Sequence, residues 1–238
     1  MPEQLPPRGN WARAKAPPAV NVPAIVAAVV AVLVAMHVGL WFLGEDWQVW
    51  SLYALALIPA RFTTADYPMP WGAQYWSLAT YMLLHGSWTH LVLNCVWLLI
   101  FGTPAARYLG NARFLLLALV SGVAGGLCSL VLHWGQNTII VGASGGVMGL
   151  MGAAIPLMYS ERLPHGGWRP ARLSELLRNR QALVFTAVVL AITLFSGGTG
   201  WTGNSFPAEG SIAWEAHIGG FIAGIIAFYV LAPRMHSA

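Results

Sequence analysis

The longest uncharged stretch of the chain constrains its fold more than any other sequence feature. Between residues 114 and 160 there is no Asp, Glu, Lys or Arg. This length suffices for two membrane-spanning helices of about 20 residues each, and the polar break at residues 133–142 separates them. Because 57% of the residues are hydrophobic and only 8% are charged, the composition also lies outside the range of soluble globular domains. We therefore expect one membrane domain.

Further uncharged stretches complete a predicted all-α bundle of six transmembrane helices within residues 22–232. We place these helices at about 22–43, 76–102, 114–132, 144–160, 181–198 and 213–232. Pro104 marks the predicted end of the second helix, because proline cannot continue the backbone hydrogen bonds. The apolar segment at about 47–62 is short for a crossing and is predicted to rest on the outer leaflet.

The positive charges predict how these helices are oriented. Six spans place both chain termini on one side of the membrane, and all of the twelve Lys and Arg residues except Arg61 fall on that side. The positive-inside rule makes this side cytoplasmic. Residues 1–21 and 233–238 are then cytoplasmic tails, the first of them predicted to be disordered. The basic residues form no stripe with interleaved aromatic residues, which argues against nucleic-acid binding.

Polar side chains at one common depth in three helices suggest a site. His90, Ser144 and His217 each lie 17 residues before the first charged residue at the inner end of their helix. At the rise of an α-helix this is about 25 Å. Polar groups inside a membrane are costly unless they are paired or face a water-filled cavity. We therefore expect a single site that is open to water on the outer side.

The residue types at this depth favour acyl transfer. Ser144 is the candidate nucleophile and His217 the candidate base, since a serine hydroxyl needs a base to take its proton. The only acid nearby in sequence, Glu215, faces elsewhere on the helix, so we predict a dyad and not a triad. His90 and Asn94 share one helix face and are the predicted oxyanion donors, together with the backbone amide of Ser144.

Small residues around this site predict close helix packing. Gly142 precedes Ser144, which begins a helix whose N-terminus offers unpaired amides and a positive dipole end to an anion. Two G-x-x-x-G pairs, one on the helix of Ser144 and one on the helix of His217, allow close backbone approach. These glycines are Gly145, Gly149, Gly220 and Gly224.

The remaining polar residues of the apolar stretches carry weaker signals. His85 lies near the outer interface, where it either supports the site by a hydrogen bond or is an ordinary interfacial histidine. The other histidines have no suggested partner and receive no role: His37, His133, His165 and His236. The two cysteines, Cys95 and Cys128, are predicted to pack between helices.

Three motifs in this order resemble those of the rhomboid family, and the resemblance covers about residues 47–232. They are His85-x4-His90-x3-Asn94, Gly142-x-Ser144-Gly and Ala216-His217-x2-Gly220-x3-Gly224. The resemblance implies a six-helix rhomboid fold and an intramembrane serine endopeptidase with Ser144 as nucleophile, His217 as base, and His90 and Asn94 as oxyanion donors. It also implies transmembrane protein substrates, no cofactor, no metal and a bacterial inner membrane location.

Three positions depart from the family pattern. Ala106 stands where a glutamate commonly precedes arginine, and Ser77 stands where an arginine often follows tryptophan. Met148 stands where a tyrosine often packs against the catalytic histidine. The residues that would carry the chemistry are all present.

Two other functions are compatible with the pattern. A histidine-dependent ion or metal transporter would also place histidines inside the membrane, but it leaves the motif around Ser144 unexplained. A catalytically silent relative that binds membrane clients would normally lack the serine or the histidine. The sequence indicates neither the natural substrate nor the oligomeric state.

Overall fold

The computed structural model describes residues 21–65, 67, 70–163, 168–199 and 213–233. The predicted tails therefore lie almost entirely outside the described residues, as do His165 and His236.

The described part of the chain is mainly helical. Two short strands, β1 (Glu161–Arg162) and β2 (Trp168–Arg169), pair antiparallel. Single 3₁₀ turns cover Pro59–Phe62 and Tyr81–Leu83. The α-helices are α1 (Ala24–Leu43), α2 (Glu45–Leu55), α3 (Ala73–Thr80), α4 (Trp88–Leu109), α5 (Asn111–Leu132), α6 (Ser144–Met158), α7 (Leu173–Leu176), α8 (Arg180–Thr199) and α9 (Trp214–Leu231).

Four of these helices, α1, α4, α5 and α9, are long and apolar enough to cross a membrane. Helix α6 and the apolar part of α8, Arg180–Ile192, are shorter. The expectation of a mainly helical, multi-pass membrane protein is thereby confirmed. The count of six spans and the cytoplasmic position of both termini stay predictions.

Helix α6 lies at the centre of the bundle. Residues 145–156 of α6 are all buried, because α4, α5 and α9 pack around it, while α1 packs against the far side of α4. Large buried side chains join these helices, among them Leu91 on α4, Leu117 on α5, Leu150 on α6 and Phe228 on α9. The outward faces of α5 and α9 carry exposed aliphatic side chains, as expected for helices in lipid.

The predicted helix at 76–102 is wrong in its interior and at its C-terminal end. It is interrupted at residues 84–87, where Leu84 is extended, and α4 begins afresh at Trp88. Ser87 causes this restart, because its hydroxyl oxygen accepts a hydrogen bond from the His90 amide (3.1 Å) and caps the new helix. Pro104 does not end the helix, which continues to Leu109. Proline is tolerated within membrane helices because neighbouring groups compensate for its lost hydrogen bond.

Arg61 anchors the outer segment formed by α2 and the following 3₁₀ turn. Its side chain is only 5% exposed, and it donates hydrogen bonds to carbonyl oxygens at the C-terminal end of α2. These acceptors are Leu52 (3.2 Å), Tyr53 (2.6 Å) and Ala56 (2.8 Å). A cation at a helix C-terminus also interacts favourably with the helix dipole. The only Lys or Arg that the sequence placed outside thus has a structural partner.

Two residues on α3 complete this anchor. Trp76 Nε1 donates to the Ala54 carbonyl (2.7 Å), and Thr80 Oγ1 donates to the Leu55 carbonyl (2.9 Å). Ser77, where the family often has arginine, is fully buried. The guanidinium that holds this segment therefore comes from Arg61 and not from the position after Trp76.

We expect Arg61→Ala to lower the free energy of unfolding by about 1.5–3 kcal/mol, since it leaves buried carbonyl groups without a charged donor. Thermal unfolding in detergent, with Arg113→Ala as a control on an exposed arginine, measures the effect. Equal stability of the two variants would contradict the anchoring role.

Candidate active site

A glycine with positive φ places Ser144 at the start of α6. Gly142 has φ +123°, a conformation that favours glycine, and its amide donates to the Tyr81 carbonyl (3.0 Å). Just before it, Ile140 pairs with Leu57 of the outer segment through two backbone hydrogen bonds. The loop that leads into Ser144 is thus held by the outer segment and by Tyr81.

The His90 ring and the Ser144 hydroxyl both lie close to Gly142. A Cβ atom added to Gly142 would lie 2.7 Å from both Cε1 and Nε2 of His90 and 3.8 Å from Ser144 Oγ. No residue larger than glycine fits at this position without displacing the ring. The structure therefore brings together two of the predicted site residues from α4 and α6.

Asn94 and His85 flank His90. Asn94 is buried and its Nδ2 donates to the His90 carbonyl (2.9 Å), which leaves its second N–H for another acceptor. The His85 ring lies edge-on to the His90 ring, with 5.1 Å between their centroids. Although His85 is only 5% exposed, neither of its ring nitrogens has a hydrogen-bond partner among the described residues.

His217 lies in the first turns of α9, on the face that meets α6. It shares this face with Gly220 and Gly224, three and seven residues further along. Within the described part of the chain its Nδ1 is buried without a partner, and no hydrogen bond joins it to Ser144 Oγ. The geometry brings the helices of the predicted dyad together but leaves the two side chains unbonded.

Backbone contact between α6 and α9 determines how closely Ser144 and His217 can approach. A Cβ atom on Gly220 would lie 2.1 Å from the Gly145 carbonyl oxygen, and one on Gly224 would lie 2.2 Å from that of Gly149. The two G-x-x-x-G pairs therefore face each other, and any side chain at 220 or 224 would collide with α6. Helix α5 contributes a further contact that the sequence reasoning missed, because a Cβ on Gly125 would lie 2.5 Å from the Ala216 carbonyl oxygen.

A cavity of about 230 Å³ lies beside this site, between α1, α2 and the start of α4. His85 lines it, as does Val141 next to Gly142. His37, to which the sequence analysis assigned no role, also lines the cavity. Its ring lies edge-on to Trp88, with 4.6 Å between ring centroids. Its position on α1 gave no signal because the packing of α1 on α4 is a tertiary contact.

Glu215 is buried (4% exposed) and faces α5. Its Oε1 accepts a hydrogen bond from Ser129 Oγ (3.1 Å) and lies 3.0 Å from His133 Nε2. The carboxylate thus points away from His217, and His133 has a partner that the sequence analysis did not find. The available signal was the i, i+4 spacing of Ser129 and His133 at the end of an apolar helix.

The three departures from the family pattern are accommodated in different ways. Ala106 and Met148 are buried in the apolar core, and Arg107, next to Ala106, donates to the Asn21 carbonyl.

Within the described ranges no three His, Cys, Asp or Glu residues are grouped so that they could hold a metal ion.

Residues 72–234 match the protein family described as the Rhomboid domain. The chain is 34% identical to RHOMBOID-like protein 6, mitochondrial, of Arabidopsis thaliana, over 70% of this chain and 47% of that protein. It is 27% identical to rhomboid protease AarA of Providencia stuartii, over 71% of this chain and 60% of that protein. It is 36% identical to the putative rhomboid protease YdcA of Bacillus subtilis (strain 168), over 44% of this chain and 53% of that protein. The chain thus spans about half the length of the curated relatives it matches.

We expect Gly224→Ala to lower the free energy of unfolding by about 1–3 kcal/mol, because the new methyl group must push α6 and α9 apart. Gly39→Ala is the matched control, since a Cβ at this helical glycine meets no atom within 4 Å. Thermal unfolding of both variants in detergent provides the measurement. A loss as large for Gly39→Ala would show that the contact with α6 is not the cause.

Proposed function

Because the chain belongs to the rhomboid family, we propose that it is an intramembrane serine endopeptidase that cuts peptide bonds in or near transmembrane segments of other membrane proteins. The observation that supports this most directly is the proximity of both the Ser144 hydroxyl and the His90 ring to Gly142, at 3.8 Å and 2.7 Å from the position of an added Cβ atom. It puts a nucleophile and a hydrogen-bond donor around one point, at the N-terminus of a helix. Several relatives are themselves named rhomboid proteases.

In the proposed mechanism Ser144 Oγ attacks the carbonyl carbon of the scissile bond while His217 takes its proton. The oxyanion of the tetrahedral intermediate accepts hydrogen bonds from His90, Asn94 and the Ser144 amide. His217 then gives the proton to the leaving amine, the peptide bond breaks, and an acyl-enzyme remains. Water, deprotonated by His217, attacks the ester, and Ser144 is regenerated with release of the new carboxyl terminus.

This mechanism needs a hydrogen bond between Ser144 Oγ and His217 that the described geometry does not contain. Catalytic hydrogen bonds are often long in free enzymes and shorten when substrate binds. The glycine contacts of α6 and α9 keep the backbones of the helices that carry the two side chains close together. No cofactor takes part in these steps.

The setting we propose is a six-span domain with both termini in the cytoplasm of a bacterial cell and the site open to the outer side of the inner membrane. The arginine distribution of the sequence supports this orientation. The substrates are transmembrane segments whose helix unwinds readily, since a protease needs an extended backbone at the bond it cuts.

A catalytically silent protein that binds membrane clients is the second candidate. The missing hydrogen bond between Ser144 and His217 favours it, because among the described residues the buried His217 Nδ1 has no hydrogen-bond partner. The two functions differ in whether a fluorophosphonate, which reacts only with an activated serine, labels Ser144.

We expect wild-type protein in lipid vesicles to cleave a model transmembrane substrate, and both Ser144→Ala and His217→Ala to cleave none. Each substitution removes a group through which the reaction passes. Electrophoresis of the substrate and fluorophosphonate labelling are the measurements. Ser174→Ala, on an exposed serine of α7, is the matched control and keeps full activity. Cleavage by Ser144→Ala would overturn the proposal, and folded wild type without cleavage or labelling would favour the silent client binder.

We expect His90→Ala and Asn94→Ala each to lower kcat by a factor of about 10² to 10³ and to leave KM nearly unchanged, because an oxyanion donor acts only in the transition state. Steady-state kinetics in vesicles tests this. Thr89→Ala, on an exposed residue of the same turn, controls for general damage to α4. A rise in KM at constant kcat would assign these residues to substrate binding.

A further inference from the structure

The buried Glu215 plays no part in the mechanism above and is nonetheless tightly held. It accepts from Ser129 on α5 and lies within hydrogen-bond distance of His133, which directly follows α5. The other ring nitrogen of His133, Nδ1, lies 3.1 Å from the side-chain amide of Gln136. The Gln136 carbonyl in turn accepts from the Ala60 amide (2.9 Å) in the outer segment. Through Gln136 and His133, these contacts connect the outer segment with the first turn of α9.

Among the described residues, few other directional contacts fix the rotation of the first turn of α9 about the helix axis. No side chain caps this helix at Ala213. The contacts of Gly125 with the Ala216 carbonyl and of Gly145 with the same oxygen are contacts to backbone, which limit the separation of the helices more than their rotation. The carboxylate of Glu215 is a directional contact, and its position in the first turn also suits the positive end of the helix dipole.

Residues two positions apart on an α-helix point about 200° away from each other. When Glu215 is bound to Ser129 on α5 and to His133, His217 is therefore directed to the opposite side of α9. That side carries Gly220 and Gly224 and meets α6, which begins at Ser144. The pairing of Glu215 thus determines where the His217 ring points.

We propose that Glu215 is a positioning residue for the base of the proposed protease: its pairing with His133 and Ser129 orients the first turn of α9 so that His217 faces Ser144. This role rests on the proposed function. It differs from that of a triad acid, because the carboxylate acts through the helix and does not touch the His217 ring.

The test compares full-length Glu215→Ala, Glu215→Gln, His133→Ala and the double variant Glu215→Ala/His133→Ala in lipid vesicles. Thermal unfolding of each variant measures its folded fraction, so that kcat refers to folded protein alone. Glu45→Ala is the matched control, because Glu45 is also a first-turn acid but is exposed.

We expect Glu215→Ala and His133→Ala each to lower kcat by about 10- to 100-fold at unchanged KM, as for a catalytic group displaced by about 1 Å. The kcat of the double variant is no lower than that of the less active single variant, since both substitutions remove one shared interaction. Glu215→Gln retains more activity, because its amide oxygen can still accept from Ser129 and His133.

If wild type is active and Glu215→Ala has the same kcat per folded molecule, the positioning role is overturned. This includes the case in which only yield or thermal stability falls. Additive losses in the double variant would overturn it as well. Wild type that neither cleaves nor labels would contradict the proposed function itself, and the role of Glu215 with it.

Discussion

The need to satisfy polar groups inside a bilayer controls most of this structure. Lipid offers no hydrogen bonds, so each buried donor or acceptor must find a partner within the protein. Arg61 meets this need for the end of α2, and Ser129 and His133 meet it for Glu215. Two histidines among the described residues do not meet this need, since buried ring nitrogens of His85 and His217 have no hydrogen-bond partner. Unpartnered buried atoms also occur on Arg61, Thr103 and Ser121, but only the histidine nitrogens belong to predicted site residues, where a reacting carbonyl and water could use them.

The sequence predicted the elements that depend on local composition and missed those that depend on tertiary partners. A charge-free stretch with one polar break has few alternatives to a helix pair, and α5 and α6 lie on either side of that break. The helix before them was misplaced because Ser87, a capping residue, was not recognised, and because Pro104 was treated as it would be in water. The pairing of Glu215 with His133 joins residues far apart in sequence, and no pattern within either helix specifies the partner.

For the candidate site too, the sequence predicted what depends on local spacing and missed what depends on tertiary contacts. Spacing along the chain placed His90 and Asn94 on one helix face, and motif order linked them to Ser144 and His217. How near these groups lie to each other depends on glycine contacts between helices, including Gly125, whose importance only the packing of α5 on α9 reveals. The roles of Ser144 and His217 stay predictions, since no hydrogen bond joins these two side chains in the described part of the chain.

The glycine contacts between α6 and α9 also affect how the protein responds to its surroundings. Where side chains separate two helices, warming or a different lipid can repopulate rotamers and shift the spacing. Glycine has no rotamers, and its burial costs no side-chain entropy. The separation of Gly145 from Gly220 and of Gly149 from Gly224 is therefore set by the van der Waals radii of backbone atoms. This separation between α6 and α9 should change little with temperature or with the fluidity of the membrane. The outward faces of the same helices can still adapt to the lipid around them.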